Sequence, residues 1–150
     1  MTTPGAAPTG TASEPQCRHW AYVSRCILPV SWSAGAVDDI VRRARLSNFH
    51  AGISGALLFT GEHFAQYIEG PADALQRLQD RIGADRRHTD LSIVAEGTRP
   101  DRIFTGWSLA YDGTSTYLAA TIARMWARES GADDLMAILH AFLPVRTRPA

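Results

Sequence analysis

Apolar and polar positions follow two different rhythms along this chain, and the switches between them outline its elements. From His19 to Arg25 the two alternate loosely, bounded by Arg18 and Pro29, which predicts a first strand. Val37, Ile40, Val41 and Ala44 then recur at i, i+3, i+4 and i+7, the signature of an amphipathic helix starting near Ser33. Asn48 continues that face, and fraying is expected over Asn48–Gly52. Ile53–Phe59 and His63–Gly70 are short apolar runs joined by Thr60-Gly61-Glu62, the pattern of a hairpin. Pro71 reads as lying just inside the start of a second helix, with Leu75, Leu78 and Ile82 as its buried stripe. Leu91–Glu96 and Trp107–Tyr111 predict two further strands, separated by a polar loop over Gly97–Arg102.

The resulting order, β-α-β-β-α-β-β, predicts an α+β fold: a ferredoxin-like, five-stranded mixed sheet with two helices on one face. Ile53–Phe59 is apolar at nearly every position, so both faces of that strand must be covered. Two C-terminal helices are available to cap the second face. Tyr117, Leu118, Thr121, Ile122 and Met125 mark one; Leu135, Ile138, Leu139 and Phe142 mark the other, with Gly131 suited to a C′ position between them. Residues 1–16, rich in Thr, Pro, Gly and Ala, read as a disordered leader. Residues 17–112 read as the main domain, 113–145 as a helical cap and 146–150 as a tail.

Composition narrows the chemistry. The chain has 150 residues, the length of one domain on a scale of about 100–200 residues each. Fifteen basic and fifteen acidic residues cancel, which argues against the basic face that nucleic acid requires. Every basic residue other than the histidines is Arg; without Lys there is no Schiff base and no Walker A lysine. Cys17 and Cys26 show neither metal nor disulfide-framework spacing, and the five histidines show no paired spacing, so no metal is assigned and a reducing cytoplasm is expected. The longest stretch free of charged residues, Leu46–Gly61, is broken by polar residues and does not read as a membrane span.

Three neutral polar side chains fall on faces that should be apolar. Gln66 lies between Phe64 and Ile68 under the period-two rule, Tyr22 shares a face with Trp20 and Ser24, and Asn48 lies on the stripe of Val37, Val41 and Ala44. Burying an amide without a partner costs about 1–3 kcal/mol. The three either satisfy one another and nearby backbone or receive a planar ligand with a donor–acceptor edge, in a cleft between the two helices.

The stretches A-Y-V-S-R, A-R-L-S-N-F-H-A-G-I-S-G-A-L-L-F, F-A-Q-Y-I-E-G, I-G-A-D-R-R-H and R-I-F-T-G-W-S-L, in order over Trp20–Tyr111, resemble the BLUF domain, the blue-light sensor that uses FAD. The resemblance implies a flavin held noncovalently between the two helices in the domain spanning 17–112, with helices 113–145 like those of the short, stand-alone members. Carried over, Tyr22 would be the photochemical donor of an electron and a proton, and Gln66 would sit between it and the flavin N5/O4 edge. Asn48 would bind the pyrimidine edge, Arg87 and His88 would help fix that end, and Ile40 and Ile82 would flank the ring. Trp107 would lie near Gln66 as a competing donor or reporter.

Such a protein is a switch and not an enzyme. It would signal to an unidentified protein partner or through its own assembly as a homo-oligomer, in the cytoplasm, with no nucleic acid or membrane involved. FAD and FMN are not distinguished by these residues. The chain departs from the family pattern at Leu109, where many members carry Met, at Ser47, where His or Asn is frequent, and at Ala44, where a polar residue is more usual. Those departures favour one alternative: an interaction module that keeps the fold without a working photocycle. A small hydrolase of the acylphosphatase type is another reading of the fold, but the chain lacks a phosphate-cradling glycine loop with suitably placed Arg and Asn. Read without the resemblance, His88 equally suits capping of carbonyls at a helix end, Arg86-Arg87 a solvated pair, Trp107 a core residue and Glu69-Gly70-Pro71 a plain strand-to-helix turn. Met125 and Trp126 are candidates for a contact surface.

Overall fold

The computed structural model describes residues 17–106, 109–113, 116–127 and 133–137. A ten-residue strand β1 (Cys17–Cys26) leads into helix α1 (Val30–Ala51), followed by the hairpin strands β2 (Ser54–Phe59) and β3 (His63–Gly70). Helix α2 (Ala72–Ala84), a long strand β4 (His88–Arg99), a short segment β5 (Ala110–Gly113) and helix α3 (Thr116–Trp126) complete the order. Strands β4, β1, β3 and β2 lie side by side in that order, each pair antiparallel, and β5 adds beside β2 in parallel. The α+β class therefore stands, with a four-stranded antiparallel body.

Element ends differ from the sequence pattern for identifiable reasons. Pro29, with φ fixed at −54°, caps α1 from just outside, and the helix begins at Val30, three residues before the expected Ser33. Gly52, at φ 71°, ends that helix in a left-handed cap and bonds back to Asn48 and Phe49 carbonyls, so α1 stays helical through Ala51 where fraying was expected. Pro71 is the cap of α2, just outside it, and its carbonyl accepts from Leu75 N–H at 2.9 Å. Gly97, Thr98 and Arg99 belong to β4 and not to a loop, because they pair with His19, Arg18 and Cys17. A ladder needs only main-chain groups, so polar side chains on an edge strand do not stop it. The last strand begins at Ala110 where Trp107 was expected; Trp107 itself lies outside the described residues, as do Gly131, Ile138, Leu139, Phe142, the leader and the tail.

Period two sorts the strands onto two cores. On the front, Trp20, Tyr22, Leu57, Phe59, Phe64 and Ile68 pack against Val37 and Val41 of α1 and Ala74 and Leu75 of α2. On the back, Ala21, Val23, Ala56, Leu58, Ala65 and Tyr67 pack against Ile122 and Met125 of α3 and Leu135, in a short helical stretch at 133–137. Every residue of β2 is buried, as the unbroken apolar run required. Met125 is turned into this back core, with 1% of its surface exposed, and so offers no contact surface to a partner; Trp126 is half-buried against the same core. At Gly55 a Cβ would lie 2.2 Å from the Tyr67 carbonyl oxygen, so only glycine lets β2 pass this close to β3.

Candidate functional site

Strand register brings the phenol and the carboxamide together. Tyr22 of β1 sits directly opposite Gln66 of β3, and neighbouring strands place such pairs side by side on the same face. Both are buried, and the Tyr22 hydroxyl donates to Gln66 Oε1 at 2.5 Å. With its oxygen so engaged, Gln66 keeps its two amide N–H donors for another acceptor.

These two residues form the floor of a cavity of about 280 Å³ between α1 and α2. That is close to the lower end of small-molecule sites, about 300 Å³, and suits a ring system better than a whole dinucleotide. Ile40 and Ala44 line it from α1, Leu78 and Ile82 from α2, Leu57 and Phe64 from the sheet, and Leu109 from just before β5. Asn48, buried in the last turn of α1, also lies on the wall. The fold thus gathers Tyr22, Ile40, Asn48, Gln66, Ile82, Arg87 and His88 around one space; Trp107 is not among the described residues.

A second line of polar contacts escaped the sequence reading. His88 Nε2 lies 2.6 Å from the Ile82 carbonyl, which can only accept, so this nitrogen carries the ring hydrogen. Nδ1 then accepts from the Ser24 hydroxyl, 2.6 Å away. His88 therefore closes the end of α2, as one reading of it expected, and also lines the cavity. Its ring stands edge-on to Tyr22 at 5.9 Å, while Trp20 packs on the other side of Tyr22 at 4.9 Å, so the phenol is wedged between them. The signal in the sequence was Ser24, two residues after Tyr22 on the same face.

Arg87 is less available than the resemblance implies. Its guanidinium is held by Asp85 through Nε and Nη2, and its own N–H bonds the same carboxylate at 3.0 Å. That hydrogen-bonded pair holds the Asp85 carboxyl below its ordinary value and raises the guanidinium further. The pair is partly exposed and adds little stability, about 0–1 kcal/mol. Arg43 and Arg81 stand exposed at the cavity mouth, Ser47 beside them. Leu109, where a Met was more usual, is fully packed and lines the cavity, and its carbonyl accepts from Arg45 Nε of α1 at 2.9 Å.

Glu69 is the largest departure from the sequence pattern. It belongs to β3, as the run His63–Gly70 predicts and not to the strand-to-helix turn considered beside it, and it is completely buried on the back face. Ser54, Tyr67 and the backbone N–H groups of Ile103 and Phe104 all donate to it. Only a set of donors this dense makes a buried carboxylate tolerable.

Burial raises the pKa values of both Tyr22 and Tyr67 well above the ordinary phenol value of 10.0, with Asp85 and Glu69 respectively adding to the effect. The neutral phenol is thus favoured in the folded state. Its contribution to stability is constant below pH 10 and is lost as pH rises above that value. Urea midpoints measured from about pH 8 to about pH 11 should fall on the alkaline side, and Tyr22→Phe and Tyr67→Phe should each flatten that fall.

Among the described residues no group of three His, Cys, Asp or Glu is placed to hold a metal, and no helix is long and apolar enough to cross a membrane. Comparison with known proteins agrees with the cavity's chemistry. The family profile for sensors of blue light using FAD matches residues 18–110. Photoactivated adenylate cyclase subunit alpha of Euglena gracilis is 33% identical over 107 residues, which is 71% of this chain but only 10% of the cyclase. The blue light- and temperature-regulated antirepressor BluF of Escherichia coli (strain K12) is 33% identical over 68 residues, 45% of this chain and 17% of the antirepressor. Among solved structures, the dark state of the BLUF protein BlrB superposes with a TM-score of 0.71 at 28% identity, covering 89% of this chain and 99% of BlrB. The chain spans a small fraction of its curated relatives and nearly the whole of BlrB. The profile match spans residues 18–110, well over half of the chain, and this chain therefore belongs to the BLUF family of sensors of blue light using FAD.

Proposed function

We propose that this chain is a light-operated switch in which Tyr22 and Gln66 carry the photochemistry. The observation that supports this reading most is the 2.5 Å bond from the Tyr22 hydroxyl to Gln66 Oε1 on the floor of the cavity. The residues fit the family's cofactor, FAD. Ile40 and Ile82 offer apolar surfaces from two helices, Asn48 and Gln66 offer amides to a heteroatom edge, and Arg43 and Arg81 at the mouth suit a diphosphate. Bound there, the flavin supplies absorption of blue light and an electron-accepting excited state.

The chain's own part is orientation and proton handling. Tyr22 is the reductant: it gives up one electron and its hydroxyl proton, and the proton passes through the Gln66 amide. Both return to Tyr22 when the charges recombine, so nothing is consumed. Gln66 would be left rotated or tautomerised, its amide presenting a stronger hydrogen-bond donor to a bound flavin, which would move the absorption to the red. His88, held by Ser24 and Ile82, keeps the phenol in line throughout. The signal leaves by contact, to a protein partner or to a second copy of the chain, and the protein acts in the cytoplasm.

The deciding experiment is an absorption spectrum of the FAD-loaded chain before and after blue light. A reversible red shift of the flavin bands is expected. Bound flavin without any shift would leave only an interaction module with this fold, and a chain that ignores FAD would sink the reading altogether.

A further inference from the structure

Strand β3 presents one row of side chains to the cavity and the opposite row to the back core. Gln66 is in the first row; Tyr67 and Glu69 are in the second. We propose that Glu69 is a positioning residue that couples the cavity to α3 across the sheet. The proposal rests on the light-switch reading above and names the residue through which that switch would reach the other face.

The geometry is that of a two-armed clamp. Glu69 Oε1 accepts from Phe104 N–H at 2.7 Å and from the Ser54 hydroxyl at 3.0 Å. Oε2 accepts from Ile103 N–H at 2.9 Å and from the Tyr67 hydroxyl at 3.3 Å. Two consecutive backbone amides are thus divided between the two oxygens of one carboxylate, which fixes both the position and the direction of the segment carrying them. Arg102 closes the same knot, donating to Ser54 Oγ at 2.9 Å and to the Gly52 carbonyl at 2.6 Å. Its positive charge is one hydroxyl away from the buried anion.

The clamped segment leads to both faces. Phe104 enters the back core with Tyr67, Ile122, Met125 and Leu135, where α3 is seated. A few residues later in the chain, Leu109 lines the cavity on the front, its carbonyl tied to α1 by Arg45. A rearrangement at Gln66 strains β3 from within, and the displacement reaches Phe104 through the charge-assisted hydrogen bonds of Glu69 in a dry interior. Such bonds resist bending and stretching, so the displacement passes on to the packing of α3. An apolar side chain at position 69 would fill the same space without desolvating a charge, but it would leave the 102–104 segment untethered.

The test uses the FAD-loaded full chain and two readouts: the light-induced red shift, and the light-minus-dark difference in hydrogen exchange over residues 116–127. In Glu69→Gln one arm of the clamp must turn an amide N–H toward donors, so that arm opens while side-chain size is kept. The expected result is a red shift of wild-type size with the exchange difference in α3 lost. A purely structural Glu69 would lower the melting temperature and leave that difference intact. Should Glu69→Gln fail to hold flavin, Ser54→Ala serves instead, removing one donor and the relay to Arg102; it is expected to shrink the exchange difference at an unchanged shift. A wild-type exchange difference in the folded variants overturns the proposal, as does a wild-type chain whose α3 exchanges alike in light and dark. A wild-type chain with no red shift at all defeats the light-switch reading itself, a separate and recognisable outcome.

Discussion

Tyr22→Phe should bind flavin and show no light-induced red shift. The substitution removes one oxygen atom and leaves the ring wedged between Trp20 and His88, so the cavity keeps its shape. What disappears is the hydroxyl that donates to Gln66 at 2.5 Å, and with it the proton that must travel with the electron. The cost to stability is modest, about 1–3 kcal/mol, because Gln66 Oε1 loses its partner in a buried setting. The expected loss of photoresponse is complete. The check is a light-minus-dark difference spectrum of the flavin-loaded variant, which should be flat. A normal spectrum would remove Tyr22 from the mechanism while leaving the family assignment untouched.

Gln66→Leu should also abolish the shift, and it should cost more in the dark. Leucine suits the space between Phe64 and Ile68, but the Tyr22 hydroxyl is then buried with no acceptor, a penalty of about 1–3 kcal/mol. Flavin affinity should fall as well, because an amide on the cavity floor is replaced by methyl groups that cannot meet a heteroatom edge. The double variant Tyr22→Phe/Gln66→Leu should be more stable than the sum of the single losses, since neither partner is then left unsatisfied. Urea midpoints of the two single variants and the double variant measure that coupling. Additive losses would mean that the hydrogen bond contributes little in the folded protein.

Ser24 and His88 show how far the setting of Tyr22 depends on residues outside the Tyr22–Gln66 pair. The Ile82 carbonyl fixes which nitrogen of His88 bears hydrogen, and that choice makes Ser24 the donor to the other. The imidazole is therefore a rigid wall beside the phenol. Asp85 acts likewise on Arg87, holding its guanidinium through Nε and Nη2.

The order of elements, the two helices flanking one face and the inward turn of Tyr22, Gln66 and Asn48 were all decided by local pattern. Period two and period 3.6 place a side chain on a face whatever that face later meets, which is why three polar residues on apolar stripes were visible before any contact was known. Tertiary structure alone decided the rest. Strand order and register put Tyr22 opposite Gln66, and nothing within either segment specifies the other as its neighbour. Edge pairing with Cys17–His19 extended β4 through residues whose polarity suggested a loop, because the ladder is made of main-chain groups that every residue carries. A charge in a strand is normally at the surface, and nothing in the local pattern marks Glu69 as buried. Its burial became possible only when Ser54, Tyr67, Ile103 and Phe104, from distant parts of the chain, converged to replace the water it lost.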